Sequence, residues 1–243
     1  MHGLNAVFKR ELLGYFQTPV AYVFLVVFLV ASHAFPFYVD QFFERGKADM
    51  APFFNWHPWL YLFLVPALTM RLWAEERRSG TLELLMTLPL PSWQLVLGKY
   101  LAAWCFTTLA LVLTMPLWIT VNYLGKPDNG VILASYLGSL LLAGGYLAMG
   151  ACLSATTRNQ VIAFVVTVTA CLVFTLAGFQ LVLSFFEAWL PQPIVETIGL
   201  FGLLTHFSDI SQGIVEFRSL FYLVTLILFW LSLNWLVVEA KRE

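Results

Sequence analysis

Six stretches of this sequence are apolar for fifteen residues or more and hold no charged side chain at their centres: Pro19 to Val39, Trp56 to Met70, Leu95 to Asn122, Val131 to Thr156, Gln160 to Phe186 and Ser219 to Val238. A helix needs about 20 mostly apolar residues to cross the hydrocarbon core of a bilayer. Inside that core only helices or closed barrels can satisfy their own backbone groups. The pattern therefore restricts the chain to an all-α polytopic membrane protein with six transmembrane helices, residues 1–243 forming one transmembrane domain. The second run is short and is expected to reach residue 73 (span 56–73), with Arg71 snorkelling to the interface. Composition agrees: 60% of residues are hydrophobic and 11% charged, against about 25% charged in ordinary soluble domains. The 22 Phe and 9 Trp suit a lipid-facing surface with interfacial belts. Membrane lipids are thus expected partners, and without any basic run nucleic acid is not.

An even number of crossings puts both termini on one side. With that side cytoplasmic, nine basic residues (Lys9, Arg10, Arg71, Arg77, Arg78, Lys99, Arg158, Lys241, Arg242) lie inside and four (Arg45, Lys47, Lys126, Arg218) outside. The positive-inside rule then favours cytoplasmic N- and C-termini. The first apolar run follows an amphipathic stretch with Lys9, Arg10 and Glu11, so a retained span is expected rather than a cleaved signal. In that stretch Leu4, Phe8, Leu12 and Phe16 recur every fourth residue (helix 4–17), as in a helix lying along the inner leaflet until Pro19 turns the chain inward. Between the last two runs, Leu200, Leu203, Leu204, Phe207, Ile210 and Ile214 mark one face of an outer amphipathic helix, 196–216, with His206, Asp209 and Glu216 largely elsewhere.

Catalytic chemistry finds no foothold. Buried carboxylates would signal ion-coupled transport, but the runs offer little beyond His33. There is no His-Glu-x-x-His, Gly-x-Ser-x-Gly or GxxxxGK[ST] pattern; Gly98-Lys99 is followed by Tyr100. His57, His206 and Asp209 have no diagnostic metal spacing, and Cys105, Cys152 and Cys171 each sit alone in an apolar run. No metal, no cofactor and no enzymatic activity are expected in this chain. Small residues cluster in the fourth run (Gly138, Ser139, Ala143, Gly144, Gly145, Ala148, Gly150, Ala151), which suits close packing at the bundle centre or against a second copy.

One segment stands apart, EERRSGTLELLMTLPLPSWQLVLGK, of which 75–92 is the polar part. Glu75, Glu76, Arg77 and Arg78 form a mixed-charge cluster, and Ser79-Gly80-Thr81 interrupts the helix. Thr81 can cap a short helix from Leu82 to Leu88, with Glu83 in its first turn and Leu82, Leu85 and Met86 on one apolar face. Pro89 ends it, and Ser92 after Pro91 can cap the third span. A short stiff helix with an apolar knob suits a groove on a partner protein.

These residues resemble the permease subunits of type-2 ABC exporters. The cluster Glu75-Glu76-Arg77-Arg78, then Gly80-Thr81-Leu82-Glu83, Leu88-Pro89 and Gly98-Lys99 looks like that family's coupling helix and its flanks. Phe8-Lys9-Arg10-Glu11-Leu12, Tyr15-Phe16 and Thr18-Pro19-Val20-Ala21-Tyr22 look like its elbow helix and the start of its first span. Thr205-His206-Phe207 and Gly213-Ile214-Val215-Glu216-Phe217-Arg218 are similar to the subgroup containing gliding-motility and nitrous-oxide-reductase-maturation permeases. The resemblance implies a permease of the bacterial cytoplasmic membrane that exports an unidentified substrate. Its partners would be a second permease copy or paralogue and two ABC ATP-binding subunits, in which ATP and Mg2+ are bound and hydrolysed. Contact with the ATPase falls to Glu75, Glu76, Arg77, Arg78, Gly80, Thr81, Leu82 and Glu83, with Arg158 in the loop Thr157-Arg158-Asn159 as a second contact. The alternative is an ATPase-driven membrane anchor or mechanical coupler that acts on an outer-side or accessory protein and moves no solute.

Overall fold

The computed structural model describes residues 2–87, 90–187, 189 and 191–241, and among them all regular structure is helical. The helices are α1 (His2–Phe16), α2 (Pro19–Ala34, continued by a π-helical turn, Phe35–Val39), α3 (Ala51–Asn55), α4 (His57–Thr69), α5 (Ala74–Ser79), α6 (Thr81–Thr87) and α7 (Ser92–Val112). They continue as α8 (Met115–Leu124), α9 (Asn129–Thr156), α10 (Gln160–Leu176), α11 (Gln180–Glu187), α12 (Gln192–Leu200), α13 (Leu203–Ser211) and α14 (Phe217–Glu239). Among the described residues four stretches are long and apolar enough to cross a membrane: Pro19–Val39, Ser92–Leu124, Asn129–Thr156 and Phe217–Glu239. A fifth is a broken pair, α10 and α11, bent by 74° between them.

The sequence leads one to expect six crossings, and the two that differ do so for identifiable reasons. The bend after α10 falls at Gly178, which meets Gly202: a Cβ on Gly202 would lie 2.2 Å from Gly178 Cα. Two glycines let the chain turn and let its backbones touch; any side chain there would push them apart. The same contact divides the outer amphipathic segment, expected as one helix over 196–216, into α12 and α13. Of its expected apolar face, Leu203, Phe207 and Ile210 are buried while Leu200 and Ile214 are exposed. His206, expected off that face, is buried: Ser219 Oγ lies 3.0 Å from its Nδ1, its Nε2 lies 2.9 Å from the Leu200 carbonyl, and Tyr222 stacks on it.

The other difference is α4, only 13 residues, or about 20 Å at 1.5 Å per residue. It is nonetheless interior, with Leu60, Tyr61, Leu62, Val65, Pro66 and Leu68 all buried. Together α3 and α4 run alongside α9 for most of its length. Phe54 packs edge-on against Tyr136 at a centroid distance of 5.0 Å, His57 Nδ1 lies 2.7 Å from Ser139 Oγ, Gly150 abuts Thr69, and Ser154 bonds the Met70 carbonyl. The chain thus follows α9 from Tyr136 to Ser154 in two short pieces. Pro52 and Pro58, each in the first turn of its piece, suit that interruption.

Helix α9 is the hub, packed against α4, α7, α10, α13 and α14. Its small residues serve contacts inside this chain. Gly138 faces Ile210 on α13, Gly144 faces Tyr100 and Trp104 on α7 and Ile227 on α14, and Gly150 faces Thr69 on α4. Small side chains permit such close approach where lipid offers no hydrophobic drive. Both chain ends reach the same end of the bundle as α5 and α6, through contacts described next.

Candidate functional site

The short helices α5 and α6, with Gly80 between them, carry every residue expected to meet the ATPase except Arg158. Gly80 separates them with φ +73°, a left-handed conformation that ends α5 and suits glycine. Thr81, expected as an N-cap, instead turns its hydroxyl back to α5, 2.9 Å from Ser79 Oγ. Helix α7 begins at Ser92, with Pro91 in the capping position. Leu88 and Pro89, and the side chain of Met86, lie outside the described residues.

The apolar face of α6 is turned inward. Leu85 is buried in the chain's own core and Leu82 is half-buried against it, while Thr81, Glu83 and Thr87 are exposed. The sequence shows that stripe correctly but not what it packs against; it anchors α6 and leaves a polar face outward. On α5, Glu75 and Arg78 are exposed and Glu76 and Arg77 are half-buried.

Those two half-buried charges tie the segment to the bundle. The Arg77 guanidinium donates to the Ala155 carbonyl at 3.0 Å, at the C-terminus of α9, and Lys241 Nζ donates to the same oxygen. Cations at that end complement the helix dipole. One residue back, Ser154 of α9 accepts hydrogen bonds from the Trp73 and Ala74 amides, both 3.2 Å, and donates to the Met70 carbonyl at 3.1 Å. The α5 N-terminus is thus capped by a residue from another helix. Arg158 is exposed in the neighbouring loop, where Asn159 caps α10 through the Val161 amide. Burial, then Arg158, lowers the Arg77 pKa; burial and the two arginines lower that of Lys241. Arg77, Arg158 and Lys241 therefore form one cationic corner.

Glu76 makes the second tie. Its Oε1 accepts from Lys99 Nζ at 2.7 Å, and Lys99 also donates to Glu11 of α1 at 3.2 Å. Only 2% of the Lys99 side chain is exposed, against 17% for Glu11 and 18% for Glu76, and Nζ lies 5.1 Å from the Trp73 ring centroid. Arg10 completes the cluster, bonded to Glu11 and 3.6 Å from Glu76. Burial alone would raise the Glu11 pKa; Lys99 and Arg10 outweigh it and hold the carboxyl below its ordinary value. Gly98 makes room for this: a Cβ there would stand 2.7 Å from Val7 Cγ1 on α1. The Gly98-Lys99 pair is therefore a docking device, glycine admitting α1 and lysine gripping it. Periodicity and local motifs do not reveal this cluster, because Lys99, Glu11 and Glu76 are far apart in the chain. The available signal was a lysine two turns into an apolar helix, which must find carboxylates.

Beside the cluster is a cavity of about 250 Å3 between α1, α2, α4 and α5–α6. Away from this end, His57, Tyr61 and Ser139 form a buried polar triad. Among the described residues no group of three His, Cys, Asp or Glu is placed to hold a metal.

Comparison with known families matches residues 60–239 to the model described as ABC-2 family transporter protein. No curated protein matches the chain.

Proposed function

This chain belongs to the ABC-2 family of transporters, and from that premise we propose that α5–α6 is the coupling element through which a separate ATPase drives it. The family makes the chain a multi-pass membrane permease component, not itself catalytic, that works with an ABC ATPase subunit. The proposal assigns the contact to the outward side of the segment, Glu75, Arg78, Gly80, Thr81 and Glu83, with Arg158 at its margin. Glu76, Arg77 and Leu82 hold the segment in place.

One observation carries the reading. The segment is exposed on one side and tied on the other to α9 (Ser154, Arg77 to Ala155), to α7 (Glu76 to Lys99) and to α1 (Glu76 to Arg10, and through Lys99 to Glu11). A rigid displacement of α5–α6 therefore pulls directly on the hub helix and on the interfacial helix. When ATP closes a pair of ATPase subunits, the segment moves and the bundle follows. Thermodynamically this needs only that ATP favour one global state over the other.

The broader assignment follows from the same frame. Crossings by α2, α3–α4, α7–α8, α9, α10–α11 and α14 make six, with both termini cytoplasmic in a bacterial inner membrane. The chain pairs with a second permease copy or paralogue and two ATPase subunits, exports its substrate, and falls within the gliding-motility and nitrous-oxide-reductase-maturation subgroup. Helix α11, none of whose residues is buried, favours a second reading, a mechanical coupler to an outer-side protein. Charging its Leu181 and Phe185 would abolish partner binding in that case, and transport alone if the chain moves a solute.

The direct test is co-purification from native membranes in mild detergent. Wild type retains an ATP-binding subunit, exposed Glu83→Arg loses it, and Lys99→Met, altered behind the contact face, keeps it. Absence of any ATP-binding subunit from the wild-type preparation would refute the proposal.

A further inference from the structure

The cavity beside the ion cluster has a composition that the coupling role does not use. Its membrane-side wall is apolar: Val20 and Ala21 in the first turn of α2, and Leu68 in the last turn of α4. Its other wall is polar and includes Tyr15, Arg71 and Glu76. Because α2 begins a span at Pro19 and α4 ends at Thr69, the cavity sits at the boundary of the apolar belt. That is the depth of lipid headgroups.

Three polar atoms of its lining residues are buried and have no hydrogen-bond partner among the described residues: Tyr15 Oη, Arg71 Nε and Glu76 Oε2. Buried polar atoms are nearly always satisfied, so such a set calls for a missing partner. They ask for two different things. Glu76 Oε2 needs a donor, since its other oxygen is occupied by Lys99. Arg71 Nε needs an acceptor; Glu75 Oε2 is 3.8 Å away, an ion pair beyond hydrogen-bond reach. Burial, then the nearby Glu11 carboxylate, pushes the Tyr15 phenol pKa above its ordinary range, so it is a neutral hydroxyl that can donate or accept.

We propose that this cavity binds the headgroup of an amine-bearing phospholipid of the ethanolamine type, from the leaflet on the α5–α6 side. The ammonium N–H groups donate to Glu76 Oε2, and the phosphate accepts from Arg71 Nε and the Tyr15 hydroxyl. The acyl chains leave past Val20, which is part-exposed. A choline headgroup carries no N–H for Glu76, and a glycerol headgroup carries no cation, so both fit worse. The inference goes beyond the ATPase reading and does not depend on it.

The test uses the full chain with whatever subunits accompany it. The protein is exchanged into nanodiscs holding equal amounts of ethanolamine-, choline- and glycerol-headed phospholipids of identical acyl chains. It is then re-extracted, and retained lipid is counted by native mass spectrometry. Retention of the ethanolamine lipid should exceed that of the choline lipid by about tenfold, the scale of one charge-assisted hydrogen bond. Tyr15→Phe removes a hydroxyl without a partner in the chain and keeps the ring stacked on Phe106 at 5.1 Å. It should fold normally and lower that retention about threefold or more; Arg71→Gln should lower it further. Soluble phosphoethanolamine at millimolar concentration should leave the retained lipid in place; displacement would point to a free headgroup and overturn the lipid assignment. Equal retention of all three lipids, or wild-type retention by Tyr15→Phe, would overturn the site and leave a cavity filled by water.

Discussion

Removing the Lys99 ammonium is the most informative single change to this fold. Lys99→Met keeps the length of the side chain in a position only 2% exposed, but it leaves Glu11 and Glu76 as neighbouring carboxylates, 17% and 18% exposed, without their shared cation. Breaking a buried ion pair from one side costs about 3–5 kcal/mol. Arg10 still reaches Glu11, which places the expected loss near the low end, about 3 kcal/mol. For a chain of this size that corresponds to a fall of roughly 6–12 °C in the unfolding midpoint. The triple variant Glu11→Gln/Glu76→Gln/Lys99→Met, with no charge left to strand, should recover most of it. The pH dependence separates this from a mere packing defect. In the wild type the Glu11 pKa is held below its ordinary 4.5, so its contribution is present above pH 4.5 and is lost as pH falls through the lower folded value. In Lys99→Met the lowering by Lys99 is lost while that by Arg10 remains, so the folded pKa moves up toward the unfolded one. The variant should therefore lose less stability than wild type as pH falls below 4.5, because less of the Glu11 contribution is left to lose. Differential scanning fluorimetry of the purified protein reads both effects. A variant as stable as wild type at pH 7, or one with the same acid-induced loss as wild type, would refute the ion-cluster account.

Other perturbations test the remaining ties. Ser154→Ala strips the Trp73 and Ala74 amides and the Met70 carbonyl of a buried partner; it should cost about 2–3 kcal/mol and speed hydrogen exchange in α5 selectively. Gly98→Val drives a side chain into Val7, which a bare Cβ would already approach to 2.7 Å. It should lift α1 from α7 and expose the N-terminal 16 residues to protease while the spans stay protected.

Much of this architecture is legible in the sequence because bilayer crossings demand apolar length, and the runs at Pro19, Ser92, Asn129 and Phe217 have it. The small residues of α9 announce close packing, and Gly80 announces a break, since both act through local sterics. What is not legible is non-local. The bend after α10 rests on Gly178 meeting Gly202, 24 positions later. The interior course of α3–α4 rests on α9 alongside it, which buries the 13 residues of α4 on one side. Periodicity displays the Leu82 and Leu85 stripe, but only the packed fold shows that it faces inward. Likewise Glu11, Glu76 and Lys99 each look like surface charges until folding brings them together.

The central claim is that the polar outward face of α6 meets the ATPase while its apolar face holds the permease. Photo-crosslinking in native membranes tests it directly, with a benzoylphenylalanine placed at position 83 in one variant and at position 85 in another. The account predicts a crosslink to an ATP-binding subunit from position 83, and none from position 85, whose native Leu85 is 6% exposed. Crosslinking to that subunit from 85 but not 83, or from neither, would contradict it.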